Sequence, residues 1–302
     1  MDRKDFIKSA SILIGGTLSS SFVPGKQTTS KEYSLILKKS IGYGMIKEDM
    51  TITDKMKLAK DIGFDGLEFK SPVDSPLKEI VKAKEKSNIQ LPSFINKDHW
   101  SKPLSSPDAS IRQYTIDSIS RSLEEAKVLG GDTVLVVPGV VNEKISYQQA
   151  YDNSLKSIRK LIPQVEKTGI KIGLENVWNN FILSPIEAKN FVDTIDHPLI
   201  GWYLDIGNIL RYGWPEHWIE ILKDRIFKLH VKGFSRKKMN DEGLWDGFVD
   251  LLEGDINWPG VIKELKDIQY SGKWMRAEVK GGDRKRLSKI SGQMDKIIAL
   301  SS

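Results

Sequence analysis

Residues 169–208 read GIKIGLENVWNNFILSPIEAKNFVDTIDHPLIGWYLDIGN, and this stretch decides the fold. Gly169 follows one helical pattern, where a left-handed residue closes the last turn. Lys171–Val177 is a short apolar run of strand length. Ser184-Pro185-Ile186-Glu187 then opens a helix, with an N-cap serine, proline at the first helical position and a glutamate placed to complete a capping box. A second strand, Gly201–Ile206, follows that helix. Two strands joined through a helix pair in parallel, by a right-handed crossover.

The same unit recurs on both sides. Strands are expected at Leu37–Ile46, Gly66–Lys70, Gln90–Ile95, Thr133–Pro138, Lys171–Val177, Gly201–Ile206, Ile226–Val231 and Lys273–Val279. Helical periods lie between them. Ile111, Tyr114, Ile119, Leu123 and Ala126 recur at spacings that place them on one apolar face of a helix over 111–129, and Leu155, Ile158, Ile162 and Val165 do so in the next helix. Eight such units in ~270 residues fit a closed (β/α)8 barrel better than an open doubly wound sheet. No second period or composition break marks another domain. Residues 31–302 are therefore expected to form a single-domain α/β barrel.

Residues 1–30 have a different character. A basic start, Arg3-Lys4-Asp5-Phe6-Ile7-Lys8, leads into a moderately apolar stretch from Ser9 to Val23 and the small residues Ser19-Ser20-Ser21. This is the layout of an export signal followed by a spacer, and its start resembles the twin-arginine motif with Lys4 in place of the second arginine. Export to the periplasm is the expectation, with a frayed N-terminus on a cytoplasmic protein as the alternative. The stretch is too short and polar for a stable membrane span, which needs ~20 mostly apolar residues.

Composition narrows the chemistry. Forty-six Lys and Arg against 40 Asp and Glu give a net charge of +6, interleaved rather than blocked, which is weak ground for a nucleic-acid partner. The chain has no cysteine, which excludes disulfides, zinc fingers, thiolate clusters and a cysteine nucleophile. Any metal must be held by oxygen and imidazole. No Gly-rich phosphate loop follows a strand.

In a (β/α)8 barrel the chemistry sits at the C-terminal ends of the strands. Strand five ends in Leu174-Glu175-Asn176 and strand six in Leu204-Asp205-Ile206-Gly207-Asn208. Strand seven carries Leu229-His230-Val231-Lys232, and strand eight Arg276-Ala277-Glu278. Taken singly these have bland readings: Asp205 as a turn cap, His230 as a core histidine, Glu278 as the partner of Arg276 or Lys280. Four successive strand ends bearing an ionisable group are a stronger signal. Three carboxylates buried together require a cation. The oxygen-rich set suits one divalent ion, Mn²⁺ first, then Mg²⁺ or Co²⁺, with zinc less favoured.

These segments carry a family resemblance. Ala59-Lys60-Asp61-Ile62-Gly63-Phe64-Asp65-Gly66-Leu67-Glu68 resembles a helix–strand junction of the xylose isomerase-like TIM-barrel superfamily. The segments at 174–176, 204–208, 230–232 and Glu278 are similar to its four metal-ligand segments, and Gly254-Asp255-Ile256-Asn257-Trp258-Pro259 to its Gly-Asp-x-x-Trp-Pro turn. The resemblance implies Glu175, Asp205, His230 and Glu278 as metal ligands, with Glu175 and Glu278 doubling as the acid–base pair. The implied activity is a sugar isomerase or epimerase that abstracts a proton next to a carbonyl and passes through an enediolate. Asn208 stands where many ketose 3-epimerases have histidine, a form closer to the pentulose-phosphate 3-epimerase and hexulose-phosphate isomerase branch. Asn208 and Lys232 are expected to contact substrate hydroxyls, Glu68 and His99 to line the rim, and Trp178 to wall the pocket. For Lys232 an ion pair with a ligand carboxylate is the competing reading.

Two other functions remain open on the sequence, and a third is argued against. One is an exported lyase or hydratase that uses the same site on a 3-keto-glycoside; another is a non-catalytic sugar-binding barrel. DNA repair of the endonuclease IV type demands many histidine ligands, and the chain has four histidines in all.

Overall fold

A computed structural model describes residues 33–301, so the export segment expected over residues 1–30 lies outside the described residues. Eight parallel strands close into a barrel in the order β1-β10-β7-β6-β5-β4-β3-β2. They are β1 (Lys38–Gly42), β2 (Gly66–Ser71), β3 (Ser93–Asn96), β4 (Thr133–Val136), β5 (Lys171–Glu175), β6 (Ile200–Asp205), β7 (Ile226–Val231) and β10 (Trp274–Ala277). Two short antiparallel strands, β8 (Gly233–Phe234) and β9 (Phe248–Val249), form a separate hairpin between β7 and β10. Among the described residues no helix is long and apolar enough to cross a membrane.

The quoted stretch folds as its residues dictate. Ser184 accepts from the Glu187 amide while the Glu187 carboxylate returns to the Ser184 amide, closing the capping box of helix Pro185–Ile195. Gly169 takes φ 71° as the C-cap of the preceding helix.

Four expectations need correction. The first strand, expected over Leu37–Ile46, ends at Gly42, and Tyr43–Met45 forms a short 3₁₀ turn. The buried face of helix Ala109–Leu129 runs through Ile116, Ile119, Leu123 and Ala126. Tyr114 is 41% exposed, on another face of the same 3.6-residue period, with its ring beneath the Lys102 ammonium. The helix expected through Leu155 to Val165 is two helices, Tyr147–Arg159 and Ile162–Thr168, broken before Pro163, which has no N–H to continue the ladder. The third strand starts at Ser93 rather than Gln90, because Pro92 cannot donate to the sheet; Gln90 keeps only an isolated bridge to Gly66.

Candidate metal centre

The parallel register assembles the site. Asp205 pairs with His230 across β6 and β7, and His230 pairs with Arg276 across β7 and β10. Glu175 closes β5, and Glu278 follows β10 directly, its amide bonded to the Val231 carbonyl at 2.8 Å. Glu175, Asp205, His230 and Glu278 each offer one ligand atom, and these atoms all lie within 4.8 Å of one another. The four residues form a set able to hold a metal ion.

Each member is held by its surroundings. Asp205 Oδ1 accepts from the Asn208 amide at 2.7 Å, so the capping role is real and uses one oxygen only. Asp205 Oδ2 turns to the cluster, where the Lys232 ammonium lies 2.8 Å away but no hydrogen bond of good geometry reaches it. Lys232 also pairs with Glu278 Oε2. His230 Nδ1 meets Glu175 Oε1 at 2.7 Å, and its Nε2 meets Glu68 Oε1 at 3.1 Å. Arg276 bridges two carboxylates, with Nε 3.0 Å from Glu68 Oε1 and Nη1 3.1 Å from Glu278 Oε1.

The titration directions follow from this crowding. Burial, with Glu278 and Asp205 adding to it, pushes Glu175 up to about 7 despite His230. Burial likewise raises Asp205, against the pull of Lys232. Burial works against the charged form of His230, yet Glu68 and Glu175 outweigh it and push the imidazole up to about 10. Burial works against ionised Glu68 as well, but His230 and Arg276 hold it down at about 2. Lys232, His230 and Arg276 overcome burial in the same way and hold Glu278 well below the usual carboxylate range.

Charge balance tests the fit of a metal. Glu68, Glu175, Asp205 and Glu278 bring four carboxylates into contact, and Lys232 and Arg276 supply two fixed cations. With His230 neutral, as a ligating imidazole must be, and all four acids ionised, the deficit is two positive charges, the charge of one divalent ion; without an ion, protons on His230 and Glu175 make up that balance. Oxygen donors with one imidazole, one open buried lone pair at Asp205 Oδ2, and no thiolate match a hard or borderline divalent cation. The residues fit the group.

The remaining candidates divide. Lys232 makes the ion pairs of its competing reading, with both Asp205 and Glu278. Asn208 is fastened by its Nδ2 to the Asn176 carbonyl at 3.0 Å, and its own carbonyl accepts from Trp178 Nε1. Trp178 stacks on Phe248 with centroids 4.8 Å apart and touches Trp245 at 5.2 Å. Glu68 is 2% exposed, lining a cavity with Arg276 and reaching into the barrel interior, where Ser93 and Tyr203 also donate to it. His99 is not on the rim. It is buried, with Nδ1 accepting from the Val137 amide at 3.1 Å, and the contacts described for it bring it to none of the four ligands.

Sequence reading named Arg276 as a partner of Glu278, a pair present at 3.1 Å, but missed its contact with Glu68 and the recruitment of Tyr203 and Asn176 to the site. Asn176 clamps the end of β6, donating to the Asp205 carbonyl at 2.8 Å and accepting from its amide at 2.9 Å. For the Glu68 contact a signal existed: Arg276, two residues before Glu278 in a run of extended backbone, shares that residue's inward face.

A (β/α)8 barrel that gathers three carboxylates and an imidazole at consecutive strand ends defines a barrel protein with a strand-end site able to hold a metal ion. Residues 56–296 match the model of the xylose isomerase-like TIM barrel, and the chain belongs to that family. An uncharacterized protein of Methanocaldococcus jannaschii is 32% identical over 168 residues, which is 54% of this chain and 56% of that protein, so the chain matches little more than half the length of that relative. The 2-oxo-tetronate isomerase of Pectobacterium atrosepticum is 26% identical over 256 residues, 78% of this chain and 88% of the relative. Among solved structures, a D-tagatose 3-epimerase-like protein superposes with a TM-score of 0.74 at 23% identity, covering 87% of this chain and 97% of that one, a likeness of fold.

Proposed function

We propose that the chain is a divalent-metal-dependent sugar isomerase or epimerase working by proton abstraction next to a carbonyl. The observation that carries this reading is the convergence of Glu175, Asp205, His230 and Glu278 within 4.8 Å. The isomerase activity of the Pectobacterium relative supports it. When bound, a divalent ion, Mn²⁺ first among the candidates, supplies Lewis-acid stabilisation of the charge that develops on the substrate oxygen. Glu175 and Glu278 carry the protons. One takes the proton from the carbon beside the carbonyl, and the other returns it to the opposite face in an epimerase or to the neighbouring atom in an isomerase. Lys232 and Arg276 keep Glu278 ionised and fixed in place. Asn176 and Asn208 hold the strand ends to which two of the ligands belong.

The test is solvent exchange. Chelator-stripped and Mn²⁺-loaded protein is incubated in D₂O with free ketoses, pentulose phosphates and 2-oxo sugar acids. Deuterium entering the carbon beside the carbonyl is expected for one class, and only in the metal-loaded sample. Absence of exchange and of product across the panel overturns the reading.

One observation favours a second reading, a lyase or hydratase acting on a 3-keto-glycoside. Phe248, 5.2 Å from the Lys232 ammonium, begins an aromatic surface that continues through Trp178 to Trp245, which is 69% exposed. Such a surface is broad enough to stack a second ring. Release of aglycone from keto-glycosides, with KM raised by Trp245→Ala, would decide for it. We also propose that residues 1–30 direct export to the periplasm, on the strength of their basic, apolar and small-residue layout.

A further inference from the structure

We infer that Glu68 and Arg276 form a positioning pair for the metal centre, in which Glu68 fixes which nitrogen of His230 faces the cation and Arg276 holds Glu68 and Glu278 in one frame. The inference rests on the metal reading of the four-residue set. A ligating imidazole nitrogen carries no proton, so the other ring nitrogen keeps one and needs an acceptor. Nδ1 is the nitrogen that faces the cluster, 2.7 Å from Glu175 Oε1 and 3.9 Å from both Asp205 Oδ2 and Glu278 Oε2. Nε2 points the other way, and its partner is Glu68 Oε1 at 3.1 Å.

Glu68 is placed to do this and little else. It comes from β2, which is separated from β7 by β1 and β10, so its side chain crosses the barrel interior to reach the ring. Ser93 and Tyr203 donate to its Oε2 at 2.7 and 2.8 Å, while Oε1 is shared between His230 and Arg276. With both oxygens engaged, the carboxylate has one orientation. His230, Tyr203 and Ser93 are buried with it. A buried charged network is seldom the most stable filling for such a space, which points to a positional role.

Arg276 completes the frame. One guanidinium edge faces Glu68 and another nitrogen faces Glu278, so a shift of either carboxylate is felt by the other. The end of β1 makes room for it: a side chain at Gly42 would come within 2.4 Å of Arg276 Nη2.

The test is calorimetric titration of Mn²⁺ into chelator-stripped wild-type, Glu68→Leu and Glu68→Gln protein, with the His230 tautomer read from long-range ¹H–¹⁵N correlations of the Zn²⁺-loaded forms. Wild type is expected to bind one ion with the His230 proton on Nε2. Glu68→Leu should bind about 10- to 100-fold more weakly and lose the single tautomer. Glu68→Gln, whose amide oxygen still accepts from Nε2, should recover part of the affinity; if the leucine variant does not fold, a loss of about tenfold in Glu68→Gln carries the proposal. Unchanged affinity and tautomer in a folded variant overturn the inference and leave the metal reading standing. A wild-type protein that binds no divalent ion overturns both.

Discussion

Replacing Lys232 by methionine removes one cation, beside Arg276 and the His230 imidazolium, from a set of four carboxylates of which three are buried. The ammonium is 2.8 Å from Asp205 Oδ2, which is fully buried, and also pairs with Glu278. Breaking a buried ion pair from one side costs about 3–5 kcal/mol, because the remaining charge is stranded. The Glu278 side chain is 38% exposed and can turn to water, so Asp205 bears most of the loss and the lower end of the range applies. Methionine keeps the apolar stem, which passes so close to Gly207 that a Cβ there would sit 2.2 Å from Lys232 Cγ; little packing is lost. At roughly 2.1 cal/mol/K per residue over roughly 270 residues, ~3 kcal/mol corresponds to a fall in Tm of about 5 °C.

Scanning calorimetry on chelator-stripped protein measures that fall, and repetition with Mn²⁺ gives it a second arm. A ligand at one hundred times its Kd stabilises by about 2.7 kcal/mol, so the ion should restore most of the variant's loss. The Tm gain on adding Mn²⁺ should be larger in Lys232→Met than in wild type, because ammonium and ion answer the same carboxylates. A fall below about 1 °C without metal, with a variant gain no larger than the wild-type gain, would refute the idea that Lys232 balances buried charge at this site.

Glu278→Gln should cut turnover at least about 10²-fold while circular dichroism and Tm stay near wild type, since acid–base groups contribute about 10²–10⁴; unchanged activity counts against its role as a proton carrier. His99 supplies a pH dependence. Burial pushes its imidazole down to about 3, whereas an unfolded histidine titrates near 6.5, so the unfolded state binds the extra proton below that pH. The stabilising contribution is whole above pH 6.5 and falls as pH drops, by about 2 kcal/mol at pH 5; urea melts of His99→Gln should show a shallower decline over that window, and an identical slope would exclude His99 as the cause. For export, mass spectrometry of the mature protein should find an N-terminus within or just after residues 1–30, and an intact Met1 on protein from the periplasmic fraction would argue against cleavage.

The barrel was legible because its signals are local. Capping boxes, C-terminal glycines and short apolar runs each concern a few neighbouring residues, and their repetition leaves few topologies. The errors arose where one period admits two faces or where proline breaks a ladder, as with Tyr114 against Ile116 and at Pro92 and Pro163. The four strand-end groups were legible for the same reason, since each strand announces its own terminus. The role of Glu68 was missed because it depends on a reach across the barrel to His230, 162 residues later, which no local pattern encodes. Lys232 carried both readings in one residue, and only the position of its ammonium separates them.

Burial is distributed unevenly over the four residues proposed as ligands, and the unevenness bears on how a substrate would reach them. Asp205 and His230 are closed off and Glu175 nearly so, whereas Glu278 is half-open. Glu278 and Lys232 line a cavity of about 660 Å³, shared with Phe248 and Lys280. Glu68 and Arg276 line a separate one of about 460 Å³, beside Tyr43 and Phe69. Arg276 thus lines one cavity and its partner Glu278 the other, and Glu278 is the most exposed of the four residues. A proton held by Glu278 can exchange with water, while one held by Glu175 is shielded by the barrel wall. If both carry protons, the two half-reactions differ in solvent access, and partial retention of a substrate's own proton is the natural outcome when Glu175 is the residue that takes it.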